Sequence, residues 1–131
     1  MTMIIRRSLP DVFESRIVIL QSARWQTRSS VWSPPTDVYE TGEDFFIRVE
    51  IAGMRDEDFE ITLNNNVLYV SGDRPGFVGR RAYHQMEILS GRFEVEASIG
   101  APVNESACEA DYADGFLTIK LPKVKTDEIR E

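Results

Sequence analysis

Few residues in this chain have chemical reach. His84 is the single histidine, and Glu87 stands three positions on, a pair that could share a proton or hold a metal. Residues an odd number apart on a strand point to opposite faces, so no joint site is expected there. Cys108 is the single cysteine. It alternates with Ala110 and Tyr112 on an apolar face and reads as a small buried hydrophobe, because a nucleophilic thiolate needs an electropositive surrounding. Asp111 and Asp114 flank a turn but lack the oxygen spacing of a calcium loop. Residues 72–79 are rich in glycine but lack the Lys-Ser/Thr ending of a phosphate-cradling loop. Asn104-Glu105-Ser106 fits a glycosylation acceptor, which only a secreted chain could use. Asp56-Glu57-Asp58 reads as a solvated cluster ahead of a strand. No nucleophile, base and anion-stabilising group assemble, so the chain is not expected to be an enzyme, and no metal or cofactor is expected.

The elements that must position these residues follow from composition and period. The chain has 131 residues, 42% hydrophobic and 28% charged. That is the balance of a soluble globular protein with room for one domain and a real core. One cysteine excludes an internal disulfide framework. No apolar run reaches the ~20 residues needed to span a bilayer. The stretch Ile17-Val18-Ile19-Leu20 is too short for a signal-peptide core, so a cytoplasmic location is expected. Charge is uneven. Residues 1–35 hold five arginines against Asp11 and Glu14, while residues 36–122 hold seventeen acidic and seven basic side chains, a net of −10. An acidic body argues against nucleic acid as a partner, and no membrane partner is expected.

Three segments follow. In residues 1–34, Ser8 can cap a helix, Asp11 suits its first turn, and Phe13, Ile17, Leu20 and Arg24 recur at helical spacing. This predicts a short helical arm carrying an apolar stripe. Pro34-Pro35 ends it. In residues 35–122 the period changes to two. Phe45, Ile47, Val49 and Ile51 alternate with polar partners, as do Phe59, Ile61 and Leu63, then Phe93, Val95, Ala97 and Ile99, then Leu117, Ile119 and Leu121. Asn64-Asn65-Asn66 and Asp114-Gly115 are turn signals. No helix-length pattern separates the strands, so an all-β, antiparallel, immunoglobulin-like β-sandwich is expected. Residues 123–131 form a short tail.

Several motifs in the right order then resemble the alpha-crystallin domain of small heat-shock proteins. Pro35-Thr36-Asp37-Val38-Tyr39-Glu40-Thr41 looks like its opening, and Val49-Glu50-Ile51-Ala52-Gly53-Met54 is similar to its next signature, with Ala52 where proline is usual. Leu68-Tyr69-Val70-Ser71-Gly72-Asp73-Arg74 resembles its hairpin return strand, and Gly91-Arg92-Phe93 a later strand opening. The most specific piece is Ala110-Asp111-Tyr112-Ala113-Asp114-Gly115-Phe116-Leu117. The resemblance covers about residues 34–123. The tail departs from the family: Val124-Lys125-Thr126 and Ile129-Arg130-Glu131 each offer one of the two apolar anchors of an Ile-x-Ile element.

The resemblance implies an ATP-independent holdase chaperone that binds unfolding proteins and prevents their aggregation. It also implies a homodimer and higher oligomers. Such a binder needs an adaptable apolar surface rather than a shaped pocket. Leu9, Val12, Phe13, Ile17, Leu20, Trp25 and Trp32 are the expected client-contacting residues, and deleting residues 1–33 is expected to leave a folded body without that capacity. Ile61, Leu63, Cys108 and Ala110 are candidates to line a partner groove between two edge strands, and plain core packing explains each of them equally well. Strand exchange in the dimer would pair Tyr83, His84, Gln85, Met86 and Glu87, in a segment spanning residues 81–88, with Asp37, Val38 and Tyr39 of the partner subunit. The alternatives are a co-chaperone or adaptor sandwich that binds folded proteins, usually a monomer without the long loop, and a small-molecule-binding sandwich, which needs a convergent polar pocket.

Overall fold

The computed structural model describes residues 2–3, 6–7 and 31–125. Nine strands occur among them: β1 (Thr2–Met3), β2 (Arg6–Arg7), β3 (Thr36–Glu40), β4 (Asp44–Glu50), β5 (Phe59–Asn64), β6 (Val67–Arg74), β7 (Gly91–Ser98), β8 (Glu109–Ala113) and β9 (Phe116–Pro122). Single 3-10 turns at Asp56–Asp58 and Glu105–Ala107 are the only helical elements described. One sheet runs β1-β8-β9-β4-β3, the other β2-β5-β6-β7. The expected all-β sandwich is therefore present, and its strands lie within one or two residues of those read from the alternation. The helical stripe expected from Phe13 to Arg24 lies outside the described residues.

The inward positions of the alternating runs form one core. Phe45, Ile47, Val49, Ile61, Leu63, Val95, Leu117, Ile119 and Leu121 are all buried in a single apolar cluster. β6 is central and buried on both faces from Leu68 to Gly72. Two hairpins are made by two-residue turns. Asn65 and Asn66 have φ of 52° and 62°, and Asp114 and Gly115 have φ of 55° and 83°. Left-handed backbone at both central positions is the turn whose twist matches paired strands, and Asn, Asp and Gly adopt it most readily.

Gly72 is where two strands and an aromatic ring meet. It lies opposite Phe59 on β5 and Phe93 on β7. A Cβ there would come 2.8 Å from the Asp58 carbonyl oxygen and 2.8 Å from the Phe93 ring. Neither the backbone nor the fully buried ring can yield, so Gly72→Ala is expected to destabilise by about 1–3 kcal/mol, read as a lower urea midpoint at unchanged slope.

One expectation needs correction. The segment at residues 81–88, including His84 and Glu87, is not a strand within the single chain, because no neighbouring strand is available to it. The antiparallel pairing expected of the sandwich holds for every ladder among β3 to β9, with two short parallel contacts at the sheet borders. β2 runs parallel to β5, and Trp32 makes a parallel bridge to Phe93.

Candidate interaction surfaces

The first surface is the long connection after β6. β6 and β7 pair from Val67↔Ser98 to Arg74↔Gly91, which leaves sixteen residues, 75–90, between the paired ends. A hairpin needs only about two to five. Arg74 pins the end of the excursion. Its Nε and Nη2 donate to the Leu89 carbonyl at 3.0 and 2.6 Å, and its Nη1 donates to that of Ala52 at 3.3 Å. Between these points the chain folds beside Ala52 and Gly53 around an open hollow of about 790 Å³. Arg81 lies over the Phe77 ring, and Gln85 donates to the Glu87 carboxylate at 2.6 Å.

Large apolar side chains are exposed here and on β3. Val38, Tyr39, Phe77, Val78, Tyr83, Met86, Ile88 and Leu89 are all the exposed large hydrophobics among the described residues. Met86 is 67% exposed and Ile88 81%. β3 pairs with β4 on one side, Asp37 opposite Arg48, Val38 opposite Ile47 and Tyr39 opposite Phe46, and no described strand covers its other edge. Tyr39 stacks on Phe46 with ring centroids 5.1 Å apart. A solvent-facing apolar strand edge is a docking template.

The second candidate surface is the groove expected between β5 and β8. Ile61, Leu63 and Ala110 are buried members of the single core, and Cys108 packs half-buried against that core. Its thiol donates to the Asn104 carbonyl at 3.3 Å. Burial, helped by the Glu105 charge, raises the thiol from 9.0 to about 11. Cys108 is thus a poor nucleophile at neutral pH. Alkylation at pH 7.5 is expected to speed up by about 100-fold when the chain is unfolded, since two pKa units separate the thiolate fractions. The covering strands β1 and β2 were not anticipated. The only signal was the β-prone run Thr2-Met3-Ile4-Ile5.

The third surface was to be the arm. Trp32 proves to belong to the body. Its backbone N–H donates to Arg92 at 3.1 Å, its carbonyl accepts from Glu94 at 2.9 Å, and its indole donates to the Gly91 carbonyl at 3.3 Å. Its ring meets Phe93 at 5.8 Å and lies under Arg74 at 4.6 Å. It is packed half-buried on the border of β7. Leu9, Val12, Phe13, Ile17, Leu20 and Trp25 lie outside the described residues. Tyr112, read only as one of an apolar row, also has a specific task. Its hydroxyl donates to the Ile51 carbonyl at 2.7 Å and accepts from the Met54 N–H at 3.3 Å, which fixes the turn after β4.

No group of three or more His, Cys, Asp or Glu side chains that could hold a metal occurs among the described residues, and no described helix is long and apolar enough to cross a membrane.

This geometry, a two-sheet sandwich with a long excursion between β6 and β7, matches known proteins. The model of the Hsp20/alpha crystallin family matches residues 37–131. The chain belongs to the Hsp20/alpha crystallin family. Small heat shock protein C4 of Rickettsia felis is 26% identical over 125 residues, covering 92% of this chain and 77% of that protein. Heat shock protein HSP.16.4 of Streptococcus thermophilus is 29% identical over 101 residues, covering 72% and 69%. Among solved structures, HSP18.5 from E. histolytica superposes with a TM-score of 0.64 at 26% identity, over 72% of this chain and 91% of that one. This small heat-shock protein therefore carries an alpha-crystallin domain, and a chaperone role comes with the family.

Proposed function

We propose that this small heat-shock protein is an ATP-independent holdase in the cytoplasm, built as a strand-exchanging homodimer whose arm captures unfolding clients. The observation that carries the reading is the confinement of every exposed large hydrophobic among the described residues to β3 and the 75–90 excursion. In the dimer, residues 81–88 of one protomer lie along Asp37, Val38 and Tyr39 of the other. The exchange covers an open edge and removes apolar side chains from water in both protomers at once. Leu9, Val12, Phe13, Ile17, Leu20 and Trp25 then contact clients, whose exposed apolar side chains they match. The cleft between β5 and β8, backed by Ile61, Leu63, Cys108 and Ala110, is a second docking surface that takes an extended segment. Higher oligomers are assembled from such dimers.

Light scattering of a heat-labile client tests this. The intact protein is expected to suppress aggregation at near-stoichiometric amounts, equally with and without ATP. Undiminished client aggregation, or suppression that requires ATP, would overturn it.

A further inference from the structure

Three segments meet at one end of the β6–β7 ladder. Arg74 and Gly91 are its last partners there, so the 75–90 excursion leaves and returns at this point. Trp32 sits at the same end, bridged to Phe93 and with its indole donating to the Gly91 carbonyl at 3.3 Å. The turn after β4 is the third. Gly53 has left-handed backbone there, φ 83°, and a Cβ on it would lie 3.7 Å from the Arg74 Cδ. One guanidinium joins all three. Its Nε and Nη2 donate to the Leu89 carbonyl at 3.0 and 2.6 Å, and its Nη1 donates to the Ala52 carbonyl at 3.3 Å. Its central carbon lies 4.6 Å from the Trp32 ring centroid. The edge of the group is thus occupied by the excursion and the turn, and its face by Trp32. Arginine suits this double duty, because a planar fork presents donors at its edge while its face stacks on a ring; a lysine ammonium is a single point of charge.

We propose that Arg74 is a positioning residue that couples the seat of Trp32 to the strand the excursion offers a partner subunit. Lifting Trp32 from its seat loosens the dimer, and dimer formation tightens the seat. This rests on the strand-exchange reading. The physical link is solvation. While the Trp32 ring lies against it, one face of the guanidinium is shielded from water, and its bonds to Leu89 and Ala52 act at a lower local dielectric. With the ring gone, water competes for the same donors and the hold on Leu89 weakens. Leu89 directly follows the segment 81–88 that is offered for exchange. A strand fixed at its base loses less freedom on pairing than a loose one, so a weaker hold disfavours the dimer. By linkage the effect runs in both directions. Residues 8–30 join the sandwich through Trp32, so a client held by the arm draws on this junction.

Dimer dissociation constants of the full chain, measured by analytical ultracentrifugation, test this for Arg74→Lys, Trp32→Leu and the two together. Arg74→Lys keeps the charge but not the fork, and a dimer about tenfold weaker is expected. Trp32→Leu keeps an apolar cover on β7 but removes the ring, and about threefold is expected. The double variant is expected to match Arg74→Lys alone, because Trp32 acts through the group already lost. Effects that multiply, or a dissociation constant unmoved by Arg74→Lys, overturn the coupling; residues that merely stabilise their own segments would give one of these results. A second measurement uses Trp25→Phe, which leaves Trp32 as the sole tryptophan. Acrylamide quenching of Trp32 is expected to rise as dilution dissociates the dimer, and to be high at every concentration once Arg74→Lys is added. Quenching that ignores dilution in a chain shown to dissociate overturns the coupling. An intact chain that is monomeric at every concentration overturns the strand exchange and the coupling with it, whereas a dimer insensitive to Arg74→Lys overturns the coupling alone.

Discussion

Replacing residues 77–88 with a short Gly-Asn turn is expected to break the dimer, and any larger assembly built from it, down to monomers at micromolar concentration, with the far-ultraviolet spectrum retained. The replaced segment contributes nothing to the buried core. It leaves Arg74 and Leu89, whose bonds close the base of the excursion. What it removes is the strand offered to the partner and the exposed side chains of Phe77, Val78, Tyr83, Met86 and Ile88. A stable dimer interface buries about 1,200–2,000 Å² in total, and β3 alone, five residues long, cannot supply it. Val38→Asp tests the same interface from the other side by placing a charge on the receiving edge, and it should raise the dimer dissociation constant at least tenfold. An intact chain that is already monomeric, or a loopless chain that remains dimeric, would refute the exchange.

Deleting residues 1–30 is expected to abolish suppression of client aggregation while leaving the sandwich folded. The cut spares Trp32, whose bonds to Gly91, Arg92 and Glu94 cover the open border of β7. For that reason it is a cleaner truncation than one through residue 33, which would strip this cover and confuse loss of client binding with loss of stability. Thermal unfolding should shift by only a few degrees, because none of the buried core residues described lies before Phe45. A chain lacking only residues 1–7 keeps Leu9 through Trp25 and should suppress aggregation at least as well as the intact protein. If the chain lacking residues 1–30 protects clients as well as the full chain, the arm is not the capturing surface.

Much of the sandwich was legible because its information is local. A strand with one buried face must alternate, so Phe45, Ile47 and Val49 announced β4, and Leu117, Ile119 and Leu121 announced β9, without reference to any partner. The turns at Asn65-Asn66 and Asp114-Gly115 were equally local, since the required left-handed backbone is adopted most readily by those residue types. The Tyr112 hydroxyl bond to Ile51 and the close approach at Gly72 were hidden, because each joins residues distant in the chain.

The sequence by itself determined the all-β class, the strand positions, the hairpin turns and the family, because residue type and two-residue periodicity act over a few neighbours. Only the tertiary structure decided which borders of the sheets are covered and by what. It placed Trp32 on β7, Thr2–Met3 on β8 and Arg6–Arg7 on β5, and it left residues 81–88 without a strand partner inside one chain. Edge pairing is a contest among segments for backbone hydrogen bonds, which every residue except proline can donate. Its outcome depends on which segments the fold brings within reach, and no local pattern records that.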